Sequence, residues 1–225
     1  MVSSSPKKEI VWHTNILPKN TKKALNALSE QKWLKQSAWY LAGGTALALQ
    51  TGNRQSVDLD FFLPKADFNA GILLKHFEGK DWVTDVLKEG TIYGKFFDAK
   101  VSFIAYPFFV RQQPPVWYGT VRVIQPKDIA AMKIVAVSQR GRKRDFYDLY
   151  WCAKNIEPLQ QTLSRLESQY PTVAHNYHHI IKSLAYFDDA EADPMPKIMF
   201  SASWKEVKNF FQKQAKELAL ELVLK

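Results

Sequence analysis

The sequence predicts an α+β protein, a mixed β-sheet flanked by helices over residues 1–122 followed by a helical lobe over residues 123–225. Three observations carry that prediction. In the first half, short apolar runs bounded by glycine alternate with segments of helical spacing. A proline-rich crossing, "QQPPVWYGTVRVIQP", then interrupts the pattern and reads as the seam between two lobes. Beyond it the apolar residues recur at helical period, which gives the second lobe its helices.

The elements follow in order. "TKKALNALSEQKWLK" spaces Ala24, Leu25, Leu28 and Trp33 as one amphipathic helix. "SAWYLAGG" is a short buried strand ending at two glycines. "TALALQTG" is a short helix with Thr45 as N-cap and Gly52 as stop. "SVDLDFFL" reads as a strand and "ADFNAGILLKHF" as a helix. "WVTDVLKEGTIYGKFF" and "AKVSFIAYPFF" read as two strands of a hairpin turning at Asp98-Ala99. After the crossing, "PKDIAAMKIVAVSQR" and "RDFYDLYWCAKN" are helices separated by the basic turn "RGRKR". "EPLQQTLSRLESQY", "VAHNYHHIIKSLAYF" and "SWKEVKNFFQKQAKELALELVLK" supply more helix, while the acidic, proline-punctuated "DDAEADPMPKIMF" reads as loop.

Composition bounds the function. Hydrophobic residues make up 46% of 225 positions, enough for a packed interior. The formal net charge of +9 favours polyanionic partners, although a merely basic soluble protein has the same balance. The single cysteine, Cys152, forms no disulfide within the chain and fits a reducing compartment, with a packing role. "MVSSSPKKEIVWHT" lacks the apolar core of a signal peptide, and no apolar run is long enough to span a bilayer. The expectation is a cytoplasmic protein without a membrane partner.

The chemistry concentrates in "GGTALALQTGNRQSVDLDFF", residues 43–62. On a strand, Ser56, Asp58 and Asp60 share a face while Val57, Leu59 and Phe61 point into the core. Carboxylates two positions apart lie about 7 Å apart along the backbone and can converge on a hard divalent cation. An isolated D-x-D fits equally well a polar face meeting water. Gly43 and Gly44 admit close backbone approach and open a helix whose first N–H groups suit a phosphate, with the Thr45 hydroxyl beside them. The run is neither a Walker loop nor a dinucleotide fingerprint.

Further along, Lys133 falls inside the apolar stripe of Ile129, Met132, Ala136 and Val137. It is either a snorkelling lysine or a cation aimed at phosphates or at a carboxylate of the site. Asp145 and Asp148 lie one turn apart at a helix start, where Asp145 alone suits the dipole. Arg140, Arg142, Lys143 and Arg144 form a dense basic turn, either a solvated run or a contact to an RNA backbone. His175, His178 and His179 lack zinc-site company and read as a partly exposed helix. Tyr147 and Trp151 read as core.

These segments together resemble the nucleotidyltransferase superfamily, and within it the AbiEii/AbiGii toxin-type nucleotidyltransferases. "GGTALAL…R.S.DLDFF" is similar to the family's first block and "DIAAMKIVAVSQRGRKRDFYDLYW" to its second. "LAYFDDAEADPMPKIMFSASWKEVKNFF" is similar to the tail of its small bacterial members. The resemblance implies a nucleotidyltransferase-like fold in which the helical lobe of residues 123–225 completes the active-site cleft. Gly43, Gly44 and Thr45 then hold a triphosphate, with Ser56 beside it and Arg54 either assisting or solvated in a turn. Asp58 and Asp60 bind magnesium, with room for a two-metal site. Lys133 and Asp145 join the catalytic or nucleotide-contacting set, and Asp148 pairs with a basic neighbour. Polymerase-like members carry a third carboxylate on a neighbouring strand; here the matching position is Ser102, Asp98 falls in the hairpin turn, and Asp145 is the substitute to consider. The implied activity is transfer of a nucleoside monophosphate from a nucleoside triphosphate to an acceptor hydroxyl, such as an RNA or tRNA 3′ end or a protein hydroxyl. The implied role is the toxin of a toxin–antitoxin pair with a cognate antitoxin. Nucleotide binding without turnover, or modification of an aminoglycoside-like small molecule, are the alternatives.

Overall fold

The structure is a computed structural model and describes residues 10–223; most of the opening segment read for a signal peptide lies outside the described residues. After a 3₁₀ turn at Thr14–Ile16 come helices α1 (Lys19–Ser29) and α2 (Lys32–Gln36), strand β1 (Tyr40–Ala42), α3 (Gly43–Thr51), β2 (Leu59–Leu63) and α4 (Ala70–Lys75). Strands β3 (Trp82–Lys88), β4 (Thr91–Phe96), β5 (Ala99–Ala105), β6 (Val116–Tyr118) and β7 (Val121–Val123) follow. The helical part comprises α5 (Pro126–Arg140), α6 (Lys143–Asn155), α7 (Leu159–Ser164), α8 (Leu166–Gln169), α9 (Tyr177–Leu184), α10 (Asp188–Glu191) and α11 (Trp204–Val223). The α+β architecture is therefore as the sequence predicts.

The described strands form one mixed sheet in the order β3-β4-β5-β2-β1-β7-β6, with β2 parallel to β5 and β1 parallel to β7. Helix α5 packs on α6, α9 and α3. The core runs through both parts, from Leu25, Leu41, Phe61 and Phe103 to Phe146, Tyr147 and Phe211, all without solvent exposure. Cys152 is buried among these residues.

Six sequence readings change. The first amphipathic helix is two helices. The Thr120 N–H and hydroxyl donate to the carbonyls of Ser29 and Leu28, so α1 ends where the β6–β7 turn satisfies its last acceptors. Gly119 permits this approach: it has φ +59°, and a Cβ there would stand 2.4 Å from the Ser29 oxygen. "WVTDVLKEGTIYGKFF" is itself a hairpin, β3–β4, reversed near Gly90 at φ +63°. The turn into β5 uses Phe97 and Asp98, both at positive φ. The crossing "QQPPVWYGTVRVIQP" adds β6 and β7 to the sheet. Strand β2 starts at Leu59, not at Ser56, and Val57 is 47% exposed instead of pointing into the core. The reason lies in residues 53–55, which pair with the segment read as loop: Arg54 bridges Ile198, Gln55 N–H donates to Lys197 and Met199 N–H to Asn53. Finally, His175 precedes α9, so His175 and His179 do not share a helix.

Candidate active site

A cleft of about 690 Å³ opens between the β2–β5–β4 face of the sheet and helices α5 and α6. Of the candidate residues, Gly43, Gly44, Arg54, Ser56, Asp58, Asp60, Ser102, Lys133 and Asp145 all line it. Thr45 does not.

The glycine pair owes its identity to the site's own side chains. Gly43 has φ +71°, and a Cβ there would lie 2.9 Å from Asp60 Oδ2. A Cβ on Gly44 would lie 2.2 Å from Arg54 Nη2 and 3.0 Å from Ser56 Oγ. Helix α3 starts at Gly43 with Ala42 as its N-cap, so Thr45 sits inside the first turn and is not the cap. Thr45 is fully buried; its hydroxyl donates to the Asp58 carbonyl and stands 2.9 Å from Ser56 Oγ. Its side chain therefore fastens the loop that carries Ser56 and Asp58, and it has no free edge for a ligand.

Asp60 lies beside Ser102 in the parallel β2–β5 register. The Ser102 hydroxyl donates to Asp60 Oδ1 at 2.6 Å, so the position read as that of a third carboxylate holds a hydrogen-bond donor to the second. Burial raises the Asp60 pKa, the Ser102 bond opposes the shift, and the neighbouring Asp58 charge adds to it. Asp58 Oδ2 meets Arg144 Nη1 at 3.3 Å, while Asp58 Oδ1 is buried with no hydrogen-bond partner. An orphaned carboxylate oxygen beside a desolvated second carboxylate suits a hard divalent cation. Among the described residues, no three His, Cys, Asp or Glu side chains gather to hold a metal, so the protein would contribute this pair and solvent or substrate the remaining ligands.

Behind the pair lies a buried ionic cluster. Lys133 Nζ is 2.6 Å from Asp145 Oδ1 and 2.7 Å from Asp148 Oδ2. Arg54 holds Asp148 with two parallel bonds, Nε to Oδ1 at 2.7 Å and Nη2 to Oδ2 at 2.8 Å, and Asn53 Nδ2 donates to Oδ1 at 2.9 Å. Arg54 is thus neither solvated nor in a free turn. Lys133 does not snorkel, because its side chain is 6% exposed and its ammonium is bound to carboxylates. Burial works against every charge here, but the partners prevail: Asp148 is held well below the usual carboxylate range by Arg54 and Lys133, and Lys133 is raised by Asp145 and Asp148. Burial likewise opposes ionisation of Asp145, but Lys133 and Arg140 lower its pKa, the wrong direction for a general base. The suggestion that Asp145 substitutes for the missing third carboxylate as a base is corrected accordingly: it anchors Lys133.

The sequence reading missed the cleft's remaining wall. Gln139 follows Met132 and Ala136 at helical spacing on α5, a signal available in the stripe itself, and Arg140 of the basic turn lines the cleft beside it. Tyr93 and Lys100 enter only through the pairing of β4 with β5.

A glycine turn opening a short helix, a carboxylate pair at the start of the adjoining strand of a mixed sheet, and a helical lobe across the cleft define a nucleotidyltransferase-like fold. The family described as nucleotidyl transferase AbiEii toxin of type IV toxin–antitoxin systems matches residues 24–86 and 97–221, and the chain belongs to this family. It is 33% identical over 189 residues to an uncharacterized protein of Aquifex aeolicus (strain VF5), covering 80% of this chain and 87% of that one. In structure it is similar to MenT4, a nucleotidyltransferase toxin of Mycobacterium tuberculosis H37Rv, with TM-score 0.50, 16% identity and coverage of 90% and 86% of the two chains. An antigenic nucleotidyltransferase-like protein of Paracoccidioides brasiliensis matches with TM-score 0.44 and 18% identity over 71% of this chain and 90% of that one. No described helix is long and apolar enough to cross a membrane.

Proposed function

We propose that the protein is a magnesium-dependent toxin that transfers a nucleoside monophosphate from a nucleoside triphosphate to an acceptor hydroxyl in the cytoplasm, restrained by a cognate antitoxin. The observation that carries this reading is the buried, partnerless Asp58 Oδ1 beside Asp60, in a cleft that also holds the start of α3.

Asp58 and Asp60 would hold the cation. When bound, it neutralises charge that develops on the phosphates as pyrophosphate leaves. The first N–H groups of α3, from Gly43 and Gly44 onward, lack helical acceptors and suit the triphosphate, with the Ser56 hydroxyl beside them. Lys133 has three N–H bonds and two carboxylate partners, which leaves one donor for an anion in the cleft. Because Asp145 and Asp148 fix the ammonium beforehand, it needs no reorganisation as charge builds. The rim cations Lys100, Arg140 and Arg144, with a net charge of +9, suit an RNA acceptor such as a tRNA 3′ end.

Incubation with total RNA and each α-labelled nucleoside triphosphate tests the proposal. Label should enter RNA with the native protein, and Asp58→Asn should abolish transfer; undiminished transfer by that variant would end the assignment. Ser102 favours one second reading, nucleotide binding without turnover, since its hydroxyl occupies an Asp60 oxygen. Tight magnesium-dependent nucleotide binding with no pyrophosphate release would select it.

A further inference from the structure

Five cations line the cleft, and four are already paired with carboxylates of the protein. A triphosphate adds several negative charges to a site that already contains Asp58 and Asp60. Lys100 has no ion pair among the described residues; which of the four paired cations can also meet it follows from the cost of releasing each. Arg54 and Lys133 are buried, and each answers a fully buried Asp148. Arg140 is exposed, but its partner Asp145 is fully buried, and freeing Arg140 leaves that carboxylate with Lys133 alone. Arg144 differs. Its side chain is 45% exposed, its only ion pair among the described residues is the single 3.3 Å contact to Asp58, and Asp58 is itself 26% exposed. It stands at the start of α6, on the cleft.

We infer that Arg144 exchanges partners: it neutralises Asp58 in the free protein and moves to the triphosphate once a divalent cation occupies Asp58. The inference rests on the proposed nucleotide site. In the free protein the guanidinium and the cation compete for one carboxylate. With nucleotide present they cooperate, because the cation that displaces Arg144 supplies the phosphate with a charged donor. Arg144 therefore couples cation affinity to nucleotide affinity, and linkage makes that coupling reciprocal.

The test is a titration of the native protein and Arg144→Ala with manganese, followed by the electron paramagnetic resonance of free Mn²⁺, with and without a non-hydrolysable nucleoside triphosphate analogue. Removing a half-exposed competitor should tighten Mn²⁺ binding alone by about 2–5-fold. Losing a charge-assisted contact to phosphate should weaken analogue binding in the presence of Mn²⁺ by about tenfold. An unchanged or weaker affinity for Mn²⁺ alone overturns the exchange, and so does unchanged analogue affinity. If the native protein binds neither Mn²⁺ nor the analogue, both this inference and the proposed function fall. If it binds both and only the Arg144→Ala differences are missing, this inference falls alone. Arg144→Gln carries the same expectations and serves if the alanine variant is not recovered folded.

Discussion

Replacing Asp148 by asparagine should destabilise the protein more than any surface change. The carboxylate is fully buried and receives two bonds from Arg54, one from Asn53 and an ion pair from Lys133. Asparagine keeps the volume but removes the charge. Lys133 retains Asp145; Arg54 retains no carboxylate partner among the described residues, and its side chain stays only 5% exposed. Leaving a buried charge unpaired costs about 3–5 kcal/mol. For a chain of this size that corresponds to a fall in melting temperature of about 6–20 °C. Urea unfolding followed by circular dichroism measures it directly, with the exposed Asp188→Asn as reference. The sign of the pH dependence follows from the lowered pKa. Asp148 contributes stability above its unfolded pKa, about 3.9, and loses it as the pH falls through the folded value, so the difference between native protein and variant should shrink as acid is added. A loss below about 1 kcal/mol at neutral pH, the scale of a surface ion pair, would refute the argument that the cluster acts as a buried unit.

Gly44→Ala places a methyl group 2.2 Å from Arg54 Nη2, which two bonds to Asp148 hold in place. The strain should cost about 1–3 kcal/mol in urea unfolding, and displacement of the loop at residues 53–58 should weaken nucleotide binding by calorimetry. Ser102→Ala removes the bond that lowers the Asp60 pKa. Asp60 then ionises at higher pH, and the pH midpoint of Mn²⁺ binding should rise.

What the sequence made legible was local. The close spacing of Asp58 and Asp60, the glycine turn before a short helix, and Lys133 as a cation inside an apolar stripe are each visible within ten residues. The structure places them on one cleft. Thr45 misled because a threonine after two glycines looks like a cap, whereas the helix already starts at Gly43 and the hydroxyl is taken by residues 11 and 13 positions away. Arg54 was ambiguous because its partner lies 94 positions on, and no local pattern reports a pairing at that distance. The β3–β4 hairpin did carry a local signal, Gly90 between two alternating runs, which the long apolar stretch obscured. Strands β6 and β7 are three residues each, too short for alternation to speak, and only their pairing defines them.

The ribbon that joins Arg54 to Ile198 also bears on the order in which the chain is made. Both aspartates are synthesised well before their supports: the loop that bears Asp58 is completed by residues 197–199 and by Asp148. A nascent or truncated chain therefore carries the motif long before it carries the site. For a member of a toxin family, assembly of the cleft is deferred by topology until residues 197–199 are available to pair.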